Sequence, residues 1–432
     1  MSSDETPFQW RSIALPAFLP TLLFSIGEGA IIPIIPLVAD RLGASLAVAG
    51  LIAAMIMVGE LIGDIPSGWL VSRIGERTAM ICASFVAVIG LVLSTYAPNP
   101  LMLGVGIFLI GIATATFALA RHAFMTSFVP QHYRARALST LGGTFRLGYF
   151  VGPFIAAGVI HLTGSTSAVF WVHIVGCLGA GAVLLLLKDP SSKFGSGRTA
   201  RADSRPAGIR PTSELALSEG REFVAEESHG LFHTMWLNRG VLSKLGTGAA
   251  LIGAIRASRS VILPLWAVSI GIGDSQTAII IGIAGAVDFA LFYASGQIMD
   301  RWGRLASALP SMVGLGIGHL VLAFSHDLPG NVVWFISVAM FLSLANGIGS
   351  GILMTLGADL ADKKDPAPFL GAWRFTGDLG GAGAPLLVAG VTAVSSLALA
   401  TGVMGVLALL GAGILLRYVP RYVPRAPRPP RS

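Results

Sequence analysis

Glu28 stands eight residues before Pro36, and Arg256 stands eight residues before Pro264. Each lies inside an apolar run long enough to cross a bilayer. An ionisable side chain at that depth costs about 3 kcal/mol or more unless a partner or water receives it. A carboxyl in low dielectric is a candidate proton carrier, which makes Glu28 the first residue to consider for proton coupling. A guanidinium stays charged and holds an anionic group or a backbone carbonyl. Arg259 follows Arg256 by three residues, on nearly the same helical face, and adds a second cation. Glu60 and Asp64 are four apart and share a face. Asp288, Arg146 and the pair Arg374 and Asp378 are further charges within apolar stretches. These groups suit proton exchange and ion pairing, not bond cleavage. No nucleophile–base spacing accompanies them, and no G-x-x-x-x-G-K-[ST] phosphate loop is present. Cys82 and Cys177 each stand alone in an apolar segment, without metal spacing, and read as small buried hydrophobes. Neither an enzyme nor a cofactor is expected.

The elements that position these charges must be membrane-spanning. Of 432 residues, 54% are hydrophobic and 12% charged, against roughly 25% charged in soluble domains. The mean hydropathy is +0.76. Runs of helical length, rich in Gly and Ala, favour a helix bundle over a barrel of alternating strands. The first nine residues are polar and the first apolar run is full length, so no cleaved signal peptide is expected. The net charge of +7 suggests nucleic acid only until its distribution is read. Arg73 and Arg77, Arg134 and Arg136, 188–239, Arg301 and Arg304, Lys363 and Lys364, and 417–431 fall in alternate loops. That is the positive-inside pattern, with Arg41 the main exception. It puts those loops and both termini in the cytoplasm.

Twelve spans of roughly 20 residues are expected near 13–38, 46–71, 79–97, 101–123, 138–161 and 167–187, then 244–268, 276–299, 306–325, 331–356, 369–390 and 394–417. This divides the chain into an N-terminal six-helix bundle (1–187), a cytoplasmic linker (188–240), a C-terminal six-helix bundle (241–419) and a basic tail (420–432). The linker is rich in Ser, Arg, Gly and Pro, then acidic, with room for a short interfacial helix at 213–227. Trp236 is placed to anchor at the headgroups. The Pro-rich tail reads as a solvated topology signal ahead of a partner-binding ligand. Arg121 and His122 read as a helix end facing the cytoplasm, and His173 as a packed or interfacial histidine. The halves repeat at an offset of 228 residues, which matches Glu28 to Arg256, Pro36 to Pro264, Glu60 to Asp288, Gly68 to Gly296 and Arg146 to Arg374. Six spans followed by six related ones fit a carrier built from two parallel repeats.

Two loops name a family. Gly68-Trp69-Leu70-Val71-Ser72-Arg73-Ile74-Gly75-Glu76-Arg77 and Gly296-Gln297-Ile298-Met299-Asp300-Arg301-Trp302-Gly303-Arg304 resemble the G-x-x-x-D-R-x-G-R signature of the major facilitator superfamily. Glycine allows close packing and a tight turn, and the Asp and Arg make charge-assisted bonds that hold one conformation. The first copy has Ser72 in place of the acid, which weakens its latch. Gly148-Tyr149-Phe150-Val151-Gly152-Pro153 resembles that family's antiporter motif, which suits equally a plain close helix contact. The run Gly29-x-x-x-Pro33-x-x-Pro36 resembles the twelve-span drug:proton antiporter subgroup, although Ile107 stands near the place of that subgroup's Arg.

The resemblance implies an all-α membrane protein of twelve transmembrane helices in two pseudo-symmetric six-helix bundles. It implies that Arg256 faces Glu28 across a central cavity, either functionally or as a fixed ion pair. It also implies that Asp64 or Glu60 pairs with Arg374, and Asp288 with Arg146, as breakable gates. Proton coupling then falls to Glu28, Glu60 and Asp288. Substrate contact falls to Glu28, Arg256, Arg259, Phe24 and Trp266. Gating falls to Asp64, Arg73, Arg146, Asp300, Arg301, Arg374 and Asp378. Gly68, Gly75, Gly148, Gly152, Pro153, Gly296 and Gly303 set the motif geometry. The expected activity is proton-coupled export of drugs or small amphipathic metabolites by alternating access. The alternatives are proton-coupled uptake of a small organic anion and a non-transporting receptor on the same scaffold. The expected partners are a small-molecule substrate, protons and lipid, not nucleic acid, for a monomer in the plasma (inner) membrane.

Overall fold

The computed structural model describes residues 18–128, 131–186, 233–361 and 367–423. Most of the expected linker with its interfacial helix, Lys363 and Lys364, and the tail from 424 lie outside the described residues, as do the side chains of Arg134 and Arg136. Twelve helices are long and apolar enough to cross a membrane. They are α1 (Leu19–Arg41), α2 (Leu46–Ile74), α3 (Glu76–Thr95), α4 (Pro100–Phe128), α5 (Gln131–Thr163), α6 (Phe170–Leu186), α7 (Thr247–Ser269), α8 (Asp274–Trp302), α9 (Arg304–Phe324), α10 (Asn331–Leu360), α11 (Ala367–Val394) and α12 (Leu397–Tyr422). The protein is an integral, multi-pass membrane protein.

Every one of these helices overlaps an expected span. The largest difference is at the α4–α5 junction, where α4 continues to Phe128 and α5 begins at Gln131. Their 29 and 33 residues span about 44–50 Å at 1.5 Å per residue, beyond a hydrocarbon core of about 30 Å. Hydropathy marks only the part in lipid, so it ends each span early. Helix α1 tightens into a 3-10 turn at Ile32–Ile34, where Pro33 and Pro36 lack the N–H groups that would continue the α ladder. Ser45 and Ser396 cap α2 and α12 by accepting from the amides of Val48 and Leu399.

The repeat seen in the sequence is present in the packing. Helix α1 packs on α5 and α6, α2 on α4, and α3 on α4 and α6. Six helices on, α7 packs on α11 and α12, α8 on α10, and α9 on α10 and α12. The two halves meet chiefly through α2 against α11 and α5 against α8. Both signature loops contain a glycine in the left-handed region, Gly75 at φ 83° and Gly303 at φ 90°. Each ends one long helix and starts the next, a turn that a side chain would strain.

The α1–α5 contact depends on missing side chains. A Cβ on Gly152 would stand 2.5 Å from the Ala30 amide nitrogen and from the Ile26 carbonyl oxygen, and one on Gly148 would stand 2.5 Å from the Ser25 Cβ. The antiporter-like run therefore works here as a close helix contact, with Pro153 inside the helix just after it. Gly152→Ala is expected to destabilise the protein by about 1–3 kcal/mol through overpacking. Gly158→Ala, where a Cβ meets nothing within 4 Å, is the control. Equal melting temperatures for the two variants in detergent would refute the packing role.

Candidate functional site

Helix α1 is held against α5 by these glycines, and that contact sets the place of Glu28. The residue is 0% exposed. Arg121 on α4, Tyr149 on α5 and Thr114 on α4 are its electrostatic neighbours. Tyr149 and Thr114 lie close enough to pair with it, yet neither carboxylate oxygen has a hydrogen-bond partner in this arrangement. Arg121 is 8% exposed, and its guanidinium carbon sits 4.6 Å from the Phe145 ring centroid. That cation–π contact orients Arg121 while its Nε stays without a hydrogen-bond partner. Glu60 on α2 is half-buried beside this group, with Glu28, Asp64, Asp378 and Arg374 acting on it.

The counterpart in the second half is built around a broken helix. Helix α10 runs as Asn331–Ile348, stops at Gly349-Ser350-Gly351 and resumes as Ile352–Leu360. Gly351 at φ 86° makes the break. A break within a membrane frees carbonyls that need donors, and three neighbours supply them. Ser307 on α9 donates to the Ile348 carbonyl at 2.6 Å, Arg256 on α7 donates to that of Gly349, and Ser295 on α8 donates to that of Ser350. From the other half, Arg146 on α5 donates to the Ser350 hydroxyl at 2.6 Å and lies 4.0 Å over the Phe292 ring.

One turn along α7, Arg259 pairs with Asp288 on α8 at 3.0 Å and donates to Ser343 at 2.8 Å. Asn346 donates to the same Asp288 oxygen at 2.6 Å. Asp288 Oδ1, Asn346 Oδ1 and Arg256 Nε have no hydrogen-bond partner. The 228-residue offset that relates Glu28 to Arg256 also relates Arg121 to Gly349. In the first half an acid on α1 therefore lies in the field of a cation on α4. In the second half a cation on α7 meets a carbonyl opened by the break in α10.

Several expected pairings differ. Arg256 does not face Glu28. The carboxylate and cations that act on it are Asp288, Arg146 and Arg259, and its hydrogen bond goes to the Gly349 carbonyl. Asp288 pairs with Arg259, while Arg146 bonds Ser350 and acts on Asp288 only at longer range. Arg374 pairs with Asp378 one turn away at 3.3 Å. Among the described residues neither Glu60 nor Asp64 forms an ion pair with it, although both lie within its field. Phe24 and Trp266 line no open space. Phe24 is 1% exposed and stacked on Phe117 at 4.3 Å, and Trp266 is 0% exposed against His326. His173 is packed edge-on against Phe24 at 5.0 Å, as expected.

The signature loops also redistribute roles. Arg304 makes the bonds, two to Asp359 at the end of α10 and one to Asp300. Arg301 lies over Trp302 and Arg73 over Trp69. Ser72 donates to the Trp69 carbonyl, and Arg77 donates to the Leu184 carbonyl at the end of α6. A Cβ on Gly296 would meet open space, so that glycine makes no tight contact in this conformation. Gly68 is half-buried on α2.

The two ends of the bundle are unlike. At one end Arg41 and Asp274 form an ion pair between the halves, and Ser275 donates to the Ala157 carbonyl at 3.1 Å. Phe154 fills the face of Gly282, and the Leu265 side chain meets Gly50. At the other end the Arg374 and Asp378 side chains between α2 and α11 are 55% and 42% exposed. A cavity of about 840 Å³ opens at the Arg41–Asp274 end beside Ser45, Ser269, His326 and Ser396, and none of the buried charges lines it.

Sequence reasoning missed Arg121, Tyr149, Asn346 and the α10 break. The signals were present. Arg121 is followed by Ala123-Phe124-Met125, which continues the apolar helix, and Asn346 precedes three glycines within five residues.

Residues 17–385 match the family model described as Major Facilitator Superfamily. The putative metabolite transport protein YncC of Bacillus subtilis is 27% identical over 397 residues, covering 79% of this chain and 81% of that one. The galactose-proton symporter of Escherichia coli is 24% identical over 333 residues, covering 73% and 68%. Among solved structures, the inward-open conformation of the E. coli xylose transporter XylE superposes with a TM-score of 0.69 at 18% identity, over 96% of this chain and 97% of that one.

Proposed function

The chain belongs to the major facilitator superfamily of transporters, and from that premise we propose that it is a proton-coupled secondary transporter of a small polar metabolite, working by alternating access. The carrying observation is Glu28, a fully buried carboxylate with no hydrogen-bond partner, held between Arg121 and Tyr149. A proton on Glu28 removes its charge, and with it the cost of carrying that side chain through a sealed, dry state. Arg121 stands where its charge can answer that change. The arginines around the α10 break receive substrate, with Asp288 and Asn346 fixing their positions.

The rocking of two six-helix halves about a midplane site is the motion that this repeat architecture suits. The present conformation is sealed at the Arg41–Asp274 end and exposed at the Arg374 end. With the basic loops in the cytoplasm, it is an inward-facing state of a monomer in the plasma (inner) membrane. The linker 188–240 joins the bundles 1–187 and 241–419 on that side, and the tail 420–432 follows there. The buried charges around the α10 break and the metabolite-transporter relatives support a polar cargo. The resemblance of the run Gly148 to Pro153 to an antiporter motif supports a second reading, export of drugs or amphipathic metabolites by antiport.

Purified protein in liposomes tests the proposal with labelled sugars, organic acids, amino acids and lipophilic cations under an imposed pH gradient. At least one polar compound is expected to accumulate against its own gradient, with collapse on adding a protonophore. Accumulation of lipophilic cations alone would favour the second reading. Movement of none of these compounds would argue for a receptor.

A further inference from the structure

Two groups of charges face the interface between the halves, and their excess charges are opposite. The first comprises Glu28, Glu60, Asp64 and Asp378 against Arg121 and Arg374, four carboxyls to two guanidiniums. The second comprises Arg146, Arg256 and Arg259 against Asp288, three guanidiniums to one carboxyl. Each group draws on both halves, since Arg374 and Asp378 reach the first from α11 and Arg146 reaches the second from α5.

Helix α5 carries residues of both groups on different faces. Its Phe145 and Tyr149 face the acid-rich group, while Arg146, on the intervening face, reaches Ser350 and Phe292. The groups are thus separated by about the width of a helix, of order 10 Å. Each contains a buried polar side chain whose bonding is unfinished. In the first, Glu28 is 0% exposed with both oxygens unpartnered. In the second, Asn346 is 8% exposed with Oδ1 unpartnered, and the Nε of Arg256 is unpartnered as well. Uncompensated groups of opposite sign at the interface between the halves are complementary to a molecule that carries both signs.

We propose that the transported substrate is a zwitterion, whose anionic group is received by Arg256 and Arg146 and whose cationic group is received by Glu60 and Asp64. This deepens the transport reading above and rests on it. Neutral sugars leave both groups uncompensated. A simple anion satisfies one group and is repelled by the other.

A matched six-carbon series isolates charge from size: 6-aminohexanoate, hexanoate, hexylammonium and, as a neutral polyol, galactose. Binding to the purified full-length protein is read from the shift in unfolding temperature at millimolar concentration. The expected result is that 6-aminohexanoate binds at least about tenfold more tightly than the other three. Arg256→Gln is expected to reduce 6-aminohexanoate to the level of hexylammonium, and Glu60→Gln to the level of hexanoate. Arg256→Lys, which retains the charge, keeps the preference and guards against a folding defect. Equal binding of any singly charged probe, a preference for galactose, or no response to 6-aminohexanoate overturns the proposal. Proton-driven uptake of galactose with 6-aminohexanoate inert would remove the substrate class and leave the carrier. Binding of 6-aminohexanoate without proton movement would do the reverse.

Discussion

Glu28→Gln is expected to lower proton-driven accumulation by about 100-fold or more, while exchange of the same metabolite across the membrane continues. The amide matches the carboxyl in size and imitates its protonated form. It therefore fits the pocket between Arg121, Tyr149 and Thr114 without emptying it, and the fold is expected to persist. What is lost is the choice between charged and neutral states. A carrier frozen in the neutral state still binds and rocks, but the proton gradient no longer drives it. Glu28→Asp keeps an ionisable group and is expected to retain part of the coupling. The comparison is between uphill uptake and equilibrium exchange in the same vesicles. Undiminished uphill uptake by Glu28→Gln would remove this carboxyl from the mechanism.

Asp288→Ala is the second large effect, this time on stability. Its carboxylate is the single acid of the base-rich group, and it accepts from both Arg259 and Asn346. The side chains of the ion pair are each 17% exposed. Removing one member of such a pair leaves an uncompensated charge and costs about 3–5 kcal/mol. Arg256 and Arg146 lie within the same field, so the repulsion left behind is shared by three cations. Truncating the partner as well, in Asp288→Ala with Arg259→Met, is expected to recover part of the loss. Thermal unfolding of the four proteins in detergent gives the coupling directly. A double variant no more stable than Asp288→Ala would dismiss the pair as a stabilising contact.

The fold was legible because its rules are local and repeated. Apolar length marks a span, and the 228-residue offset carried Glu28 onto Arg256 and Gly68 onto Gly296. The glycines at 75 and 303 could be read as turns because backbone geometry restricts the choice of residue there. The site was legible in its members and not in its pairings. Glu28, Arg256, Arg259, Asp288 and Arg146 were all singled out, yet which charge meets which depends on helix rotation and on distances across the bundle. An offset fixes topological equivalence, not contact, and so Glu28 and Arg256 correspond without touching. The break in α10 was hidden for another reason. Glycine is common in membrane helices, and nothing local distinguishes Gly349 and Gly351 from glycines that merely pack. Their meaning comes from Ser307, Arg256 and Ser295, which arrive from three other helices. Arg121 was misread through a boundary, since a span ended at residue 123 turns a buried cation into a helix-end one.

The claim on which the rest depends is that the end sealed by Arg41 and Asp274 must open in every cycle. Arg41→Cys with Asp274→Cys, in a chain whose Cys82 and Cys177 are replaced by alanine, puts a thiol on each half at that seal. A short bifunctional thiol reagent should bridge them and stop proton-driven accumulation, and a reducible version of the reagent should restore it on reduction. Accumulation at the full rate with the bridge demonstrably closed would contradict alternating access in this protein.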